Sequence, residues 1–506
     1  MGPVQESPAR LFHYGIVLEK RVRPNNPLRA IAKAIDFGFV RDEVKGCYGK
    51  KGHPSEDPIL IMKLMLLLFL DDLPSERELM RVVGERLDYL WFLGMGLDDE
   101  VPNHSVLSKA RRRWGREVFE KVFIRIVQMC VECELVDGKK IHMDGSLVNG
   151  NASKDSVKRG PAVLIEQLKE VYRQQEQKLD EAIAARCSWV EKAEPAEDPP
   201  DQGVELTIVQ RNEFHGRRGE VDGEMRLSRT DIDTAVVRKG AGDGARPRFK
   251  HHRVVDDRFG VITAVETTPG DVAENTKLLD LVGHHERNTA AQVDTVVADS
   301  QYGTNDNFAA CYQRGIRSHM ADLKKSYRND AALAVFGEEK FQYDTAKDIY
   351  ICPAGETLSR KRQDRGLNVY SLSGSICRGC VLRTQCTRSK TARTLKRHPH
   401  HELVQAARQQ SHSRMARQDR RRRRHLMEGS FADAANNHGL KKARWRGLKN
   451  QQTQDYLIAT CQNLRLLIRH GAAPTPAKAM RIRQERSNLS LITHTGFPHG
   501  PQHFRE

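Results

Sequence analysis

The stretch "VDTVVADSQYG", residues 293–303, constrains the fold most. It is an apolar, β-branched run ending in Asp299, as expected of a buried parallel strand covered on both faces. Upstream, "KKIHMDGSLV" (139–148) alternates, with Ile141 and Met143 on one face and His142 and Asp144 on the other. Two more strands are expected in "RPRFKHHRVVDD" (246–257) and "GVITAVETT" (260–268). A "PGD" turn and a helix from Val272 to about His284 follow. Beyond Asp299, "AACYQRGIRSHMADL" continues as helix, turn and strand. Three strands, helix, strand, helix, strand is the order of an α/β core.

The flanks read differently. The first 130 residues have helical patterns. "ILIMKLMLLLFL" (59–70) is too short to span a bilayer and carries Lys63, so a buried helix is expected. "SEREL" has capping-box spacing from Ser75 to Glu78. "PNHSVLSKARRRWG" reads as a turn, a cap at Ser105 and a helix ending in Arg111, Arg112 and Arg113. That unit is either a DNA-reading helix-turn-helix or an ordinary helical hairpin with a solvated basic end. Residues 150–235 are polar and mostly helical in pattern, whereas 325–412 break the pattern with tyrosines, glycines and cysteines. Helices resume around Glu428 and at "TQDYLIATCQNLRLLI", where Leu457, Cys461, Leu464 and Leu467 fall at helical spacing. The tail after Ala472 is rich in Pro, Arg and His and is expected to be disordered. The start lacks the charged-then-apolar pattern of a signal peptide, which points to a cytoplasmic protein.

Charge is localised. Arg360 to Arg397 hold 11 Lys/Arg against one acid, and Arg414 to Lys449 hold 12 against three. These windows exceed the formal charge of the whole chain, +17. Such concentration favours a polyanion, here nucleic acid, over a merely solvated surface. Arg420, Arg421, Arg424, Lys441, Lys442, Arg444 and Arg446, with Arg111 to Arg113, are the candidate contacts.

In an α/β sheet, ligands collect beyond the carboxyl ends of strands. If their strands are adjacent, Asp144 and Asp299 would share one end of the sheet, repel each other and desolvate badly. Magnesium, which prefers carboxylate oxygens, water and phosphate, resolves that conflict. Taken singly, each aspartate reads more simply as a strand-end cap or turn residue. "DRRRRRHLMEGSF" (419–431) sets one acid, Glu428, after five arginines. A third carboxylate from that helix would complete a two-metal site. A salt bridge to Arg424, one turn earlier, is the plainer alternative.

Taken in order, these blocks resemble the DDE transposases of bacterial insertion sequences, over roughly residues 25–470. "DPILIMKLMLLLFL", "SERELMRVVGERLDYLWFLGMG" and "VPNHSVLSKARRRWG" look like their helical N-terminal domain; "IHMDGSLVNGNAS" and "VVADSQYGT" look like the two aspartate motifs. "RHLMEGSFADAANNHGLKKARWRGL" followed by "NLRLL" looks like the glutamate block. The resemblance implies a ribonuclease-H-like α/β sheet flanked by helices. It also implies a catalytic triad of Asp144, Asp299 and Glu428 holding two Mg2+ or Mn2+ ions, and a homodimer on paired DNA ends. The corresponding divisions are an N-terminal DNA-binding domain (1–135), a catalytic core (136–324, with a helical insert at 150–235, and 413–471), an insertion (325–412) and the tail (472–506). Three positions depart from the family pattern. Ala435 stands where a lysine is common, Arg421 where a tyrosine is, and Asn103 where an aspartate is; Lys441 and Lys442 are candidate substitutes for the lysine.

In the insertion, Cys377-x2-Cys380 forms a knuckle that Cys352 and Cys386 would complete as a tetrahedral zinc site. Four free thiols are the alternative, since a cytosol disfavours disulfides. Cys130 and Cys133 read as core. The resulting expectation is a double-stranded DNA transposase that hydrolyses transposon ends and joins the 3′-hydroxyl to target. A catalytically inactive DNA-binding descendant, or a nuclease that cuts without joining, is the competing reading.

Overall fold

The alternating segment becomes a ten-residue strand, β1 (Lys140–Asn149), at the centre of a mixed sheet. The computed structural model describes residues 17–48, 55–161, 224–240, 242–322, 335–364 and 366–470, with parts of a helical segment at 164–178. A short antiparallel pair, β2 (Val157–Pro161) and β3 (Glu224–Ser228), stands apart from this sheet. On one side β1 pairs antiparallel with β5 (Arg246–Asp256). The outer edge of β5 carries β4 (Ala235–Val237) and β6 (Ile262–Pro269). On the other side β1 runs parallel to β7 (Thr295–Val297), which runs parallel to β8 (Arg317–Ser318). All three residues of β7 are buried, as its β-branched composition requires.

The N-terminal region is helical: α1 (Pro27–Ala34), α2 (Phe39–Val44), α3 (Pro58–Leu70), α4 (Glu76–Glu85), α5 (Leu87–Leu93) and α6 (Ser105–Glu132). In α3, Pro58 opens the helix and Asp57 accepts from the Ile59 N–H at 3.0 Å. Its apolar surface is buried nearly all round, and Lys63 reaches out to the Phe92 carbonyl at 2.7 Å. Ser75 caps α4 by accepting from the Glu78 N–H at 3.1 Å.

Helices cover both faces of the sheet. Ile141, Met143, Val254 and Ala264 pack against α7 (Leu278–Thr289), α8 (Asn305–Gln313) and α9 (His401–Ser411). Val148, Phe249, Val255 and Val265 face the opposite way. They share one continuous core with the N-terminal helices, α10 (Arg414–Asn437) and α11 (Leu448–His470). α11 is buried on its polar as well as its apolar face because its amides cap the β6 edge. Asn463 accepts from the Ile262 N–H at 2.9 Å and donates to its carbonyl at 2.7 Å, and Gln452 accepts from the Thr267 N–H at 2.6 Å.

The interrupting segment has its own antiparallel sheet. It runs through β9 (Gln342–Asp344), β10 (Ile349–Ile351), β11 (Thr357–Asp364), β12 (Leu367–Ser371) and β13 (Thr394–Arg397) in spatial order. Its core is small: Phe341, Tyr350, Leu358, Tyr370 and Leu395.

Several boundaries differ from the sequence reading. α6 does not end at Arg113; it resumes after a break at Gly115 (φ 69°) and runs to Glu132. Ser105 is not its side-chain cap, for Asn103 accepts from the Ser105 N–H at 2.9 Å. α7 begins at Leu278 rather than Val272. The Thr276 hydroxyl bonds the Ala273 carbonyl at 2.7 Å, and Lys250 takes the Val272 carbonyl at 2.7 Å, holding a 3-10 turn instead. Within 150–235, the described residues at 157–161, 224–228 and 235–237 are strands. Residues 179–223 and the tail after 470 lie outside the described residues. No helix of the described residues is long and apolar enough to cross a membrane.

Candidate functional site

β1 and β7 are neighbours, with Ile141 level with Val296 and His142 with Val297. Continuing that register brings Asp144 level with Asp299, just past the end of β7. Asp299 accepts from the Gln301 N–H at 2.9 Å, so it also caps the turn that follows. A third carboxylate arrives from the first turn of the segment expected to be a helix from Val272, at a residue the sequence reading did not single out. Glu274 opens the 3-10 turn Glu274–Lys277. One carboxylate oxygen from each of Asp144, Glu274 and Asp299 lies within 4.8 Å of the other two. Gly145 makes room for this: a Cβ there would come within 2.9 Å of the Glu274 carboxyl.

All three acids are half-buried, and the charge is incompletely balanced. Burial pushes the Asp144 carboxyl up; Arg423 pulls it down and Asp299 pushes it up again. The Arg423 guanidinium donates to Asp144 at 2.8 Å. Burial also raises Glu274, opposed by Lys250 and reinforced by Asp299 and Asp144. Lys250 sits 3.7 Å from Glu274. Three carboxylates thus face two cations. Beside them Tyr302 is completely buried, its hydroxyl has no hydrogen-bond partner among the described residues, and burial followed by the three carboxylates pushes its phenol well above its ordinary value. A compact set of hard carboxylate oxygens with residual negative charge suits Mg2+ or Mn2+.

Glu428 is on α10, as expected, but outside this trio. Its side chain is exposed and makes neither the Arg424 ion pair nor any other bond among the described residues. The same helix nonetheless runs along the site, because Arg423, five residues earlier, grips Asp144. The basic candidates divide. Arg421, Arg424 and Lys442 are exposed, as are Arg112, Arg113 and Arg446. Lys441 donates to the Ser146 hydroxyl at 2.6 Å, two residues along the Asp144 face of β1. Arg420 is tied to the Ser411 carbonyl at 2.7 Å. Arg111 is largely shielded, paired with Glu76 and stacked 3.8 Å over Trp445; Arg444 is held by Asp72 and Leu73. Both are used up in joining the N-terminal helices to the C-terminal segment, a role the sequence reading missed.

Cys352, Cys377, Cys380 and Cys386 line one cavity under the small sheet, all reduced and half-buried. Burial raises the Cys386 thiol; Arg393 lowers it, and the other three sulfurs raise it further. The four are neighbours but not at ligand spacing, since the carboxylate trio is the one metal-ready cluster among the described residues. Cys130 is core, as expected.

Glu274, Arg423, Lys250 and Tyr302 went unread in the sequence. Glu274 lies in "GDVAENTK", where no periodicity distinguishes it, and only its position over Gly145 reveals it. Two family models match the chain: a transposase domain (DUF772) over residues 16–113 and a transposase DDE domain over residues 351–468. The second spans Glu428 and the four cysteines but neither aspartate. No curated protein matches the chain.

Proposed function

The chain belongs to the insertion-sequence DDE transposases, and from that premise we propose that Asp144, Asp299 and Glu428 form its catalytic metal site. The observation that carries this is the meeting of Asp144, midway along β1, with Asp299, just past the end of the parallel β7, beside a helix bearing five consecutive arginines and Glu428. The sheet order β6–β5–β1–β7–β8, three antiparallel strands then two parallel, supports a ribonuclease-H-like reading of 136–324 and 413–471. Residues 1–135 would serve as the DNA-binding domain, and two copies of the chain would pair the two transposon ends.

Bound divalent ions would supply charge neutralisation at the scissile phosphate and an activated hydroxyl. The protein's own groups do the rest. Asp144 and Asp299 would hold the cations from the sheet, and Glu428 would complete the set from α10. Arg423 neutralises Asp144 in the metal-free site. Lys441, beside Ser146, stands in for the lysine that Ala435 lacks and contacts a backbone phosphate. Arg421, Arg424, Lys442 and Arg446 track the duplex. Hydrolysis would free a 3′-hydroxyl at each end, and that hydroxyl would attack target DNA.

A magnesium-dependent assay on a donor bearing the element's own ends tests this. Cleaved ends and joined product are expected from the wild type, and neither from Glu428→Ala with DNA binding kept. The distance of Glu428 from the trio favours one competing reading, an inactive DNA-binding descendant, for which the wild type would give no cut. Cleavage without joining would mark a nuclease.

We propose that the four cysteines, which line one cavity but stand too far apart to ligate as they are, close on a structural zinc ion that braces the small-cored sheet. Purified protein should carry one zinc that Cys377→Ser loses; metal-free, fully folded protein would refute it.

A further inference from the structure

Glu274 does not belong to the proposed triad, and its simplest role would be an ion pair with Lys250. Two features exceed that role. At 3.7 Å the pair is long, and the Lys250 ammonium is already engaged by the Val272 carbonyl at 2.7 Å. The Glu274 carboxylate instead lies over Gly145, where only a residue without a Cβ leaves room, and within 4.8 Å of both Asp144 and Asp299. The second feature is independent of the acids. Tyr302 is 0 % exposed and its hydroxyl is unpartnered among the described residues. A buried hydroxyl without a partner costs stability, so it marks a place where a further acceptor is missing. Tyr302 closes the 3-10 turn Ser300–Tyr302 that Asp299 caps, and that turn packs against Glu274–Lys277, which places the phenol beside the same cluster.

We propose that Glu274 is a further cation ligand, which with Asp144 and Asp299 loads one divalent ion before DNA and Glu428 arrive, and that Tyr302 is a positioning residue donating to a water or carboxylate oxygen of that loaded site. This rests on the metal-site reading above. It divides the carboxylates by task. Three belong to elements fixed in one packed sheet layer and are already together; Glu428 belongs to α10 and joins only for chemistry. Gly145 is the sequence mark of this arrangement, since any side chain there would displace Glu274.

The test is Mn2+ binding to the full chain without DNA, followed by EPR or calorimetry, alongside donor cleavage. Glu274→Gln and Gly145→Val should each weaken Mn2+ at least tenfold, while Glu428→Gln leaves Mn2+ affinity within twofold and abolishes cleavage. Tyr302→Phe should weaken Mn2+ severalfold while the thermal midpoint of the metal-free protein stays level or rises. Wild-type Mn2+ affinity in a folded Glu274→Gln, or loss of Mn2+ in Glu428→Gln, would overturn the inference. The failures are separable. If Asp144→Asn and Asp299→Asn lose cleavage while Glu274→Gln keeps both Mn2+ and cleavage, only the role of Glu274 falls. If Asp299→Asn cleaves normally, the metal-site reading itself falls.

Discussion

Arg423 and Asp144 make the contact on which the resting site depends. Both side chains are mostly shielded, and the charge-assisted bond of 2.8 Å is the one ion pair of Asp144 among the described residues. Arg423→Gln should therefore cost roughly 1–3 kcal/mol in urea unfolding with EDTA present, and less with saturating Mg2+, which supplies the lost positive charge. Equal losses in both buffers would show that the pair is not linked to cation binding. Arg111 behaves differently from its neighbours. Packed against Glu76 and Trp445, it should cost about 2–4 kcal/mol as Arg111→Ala, whereas exposed Arg112→Ala should be near neutral for stability. The sequence could not separate these adjacent arginines, because burial there is set by Trp445, more than 300 residues away. His285 gives a pH dependence. Burial drives its pKa down to about 4, with the Gly138 carbonyl opposing. A depressed histidine stays neutral in the folded chain while the unfolded chain protonates near 6.5, so stability is held above that pH and lost as pH falls toward 4. The loss attributable to His285 is on the order of 3 kcal/mol. His285→Gln should flatten the wild-type slope of unfolding free energy between pH 7 and 5, though His252, held at about 3 by burial, keeps part of it.

Among the elements, strands were the more legible. β1, β5 and β7 sit where alternation and β-branched runs put them, because each is bounded by a sharp polarity change. The start of α7 was not, since a local hydroxyl and a distant lysine compete for its first turn. α11 shows why period alone understates burial. Leu457, Cys461 and Leu464 give the apolar stripe, but Gln452, Asp455 and Asn463 are buried too, bonded to β6 and its neighbours. Asn463→Ala removes both bonds to Ile262 and should cost about 2–4 kcal/mol by chemical denaturation. A near-zero cost for alanine would mean that β6 does not need its edge covered.

For the whole molecule, the two aspartates were readable because their strands are neighbours, while Glu274 was hidden in a turn and Glu428 rests outside the cluster. The N-terminal helices and α11 share a core, so these two helical regions pack together around the sheet. DNA binding should fall steeply with salt. Arg421→Ala and Arg424→Ala should each lower the slope of log affinity against log salt by about 1, with little effect on sequence preference. Asp-to-Cys exchange tests the central claim most directly, because a thiolate ligand discriminates between the two ions. Asp299→Cys should fail to cleave the paired-end donor in Mg2+ and regain cleavage in Mn2+; a rate that is the same in both metals would contradict direct ligation by Asp299.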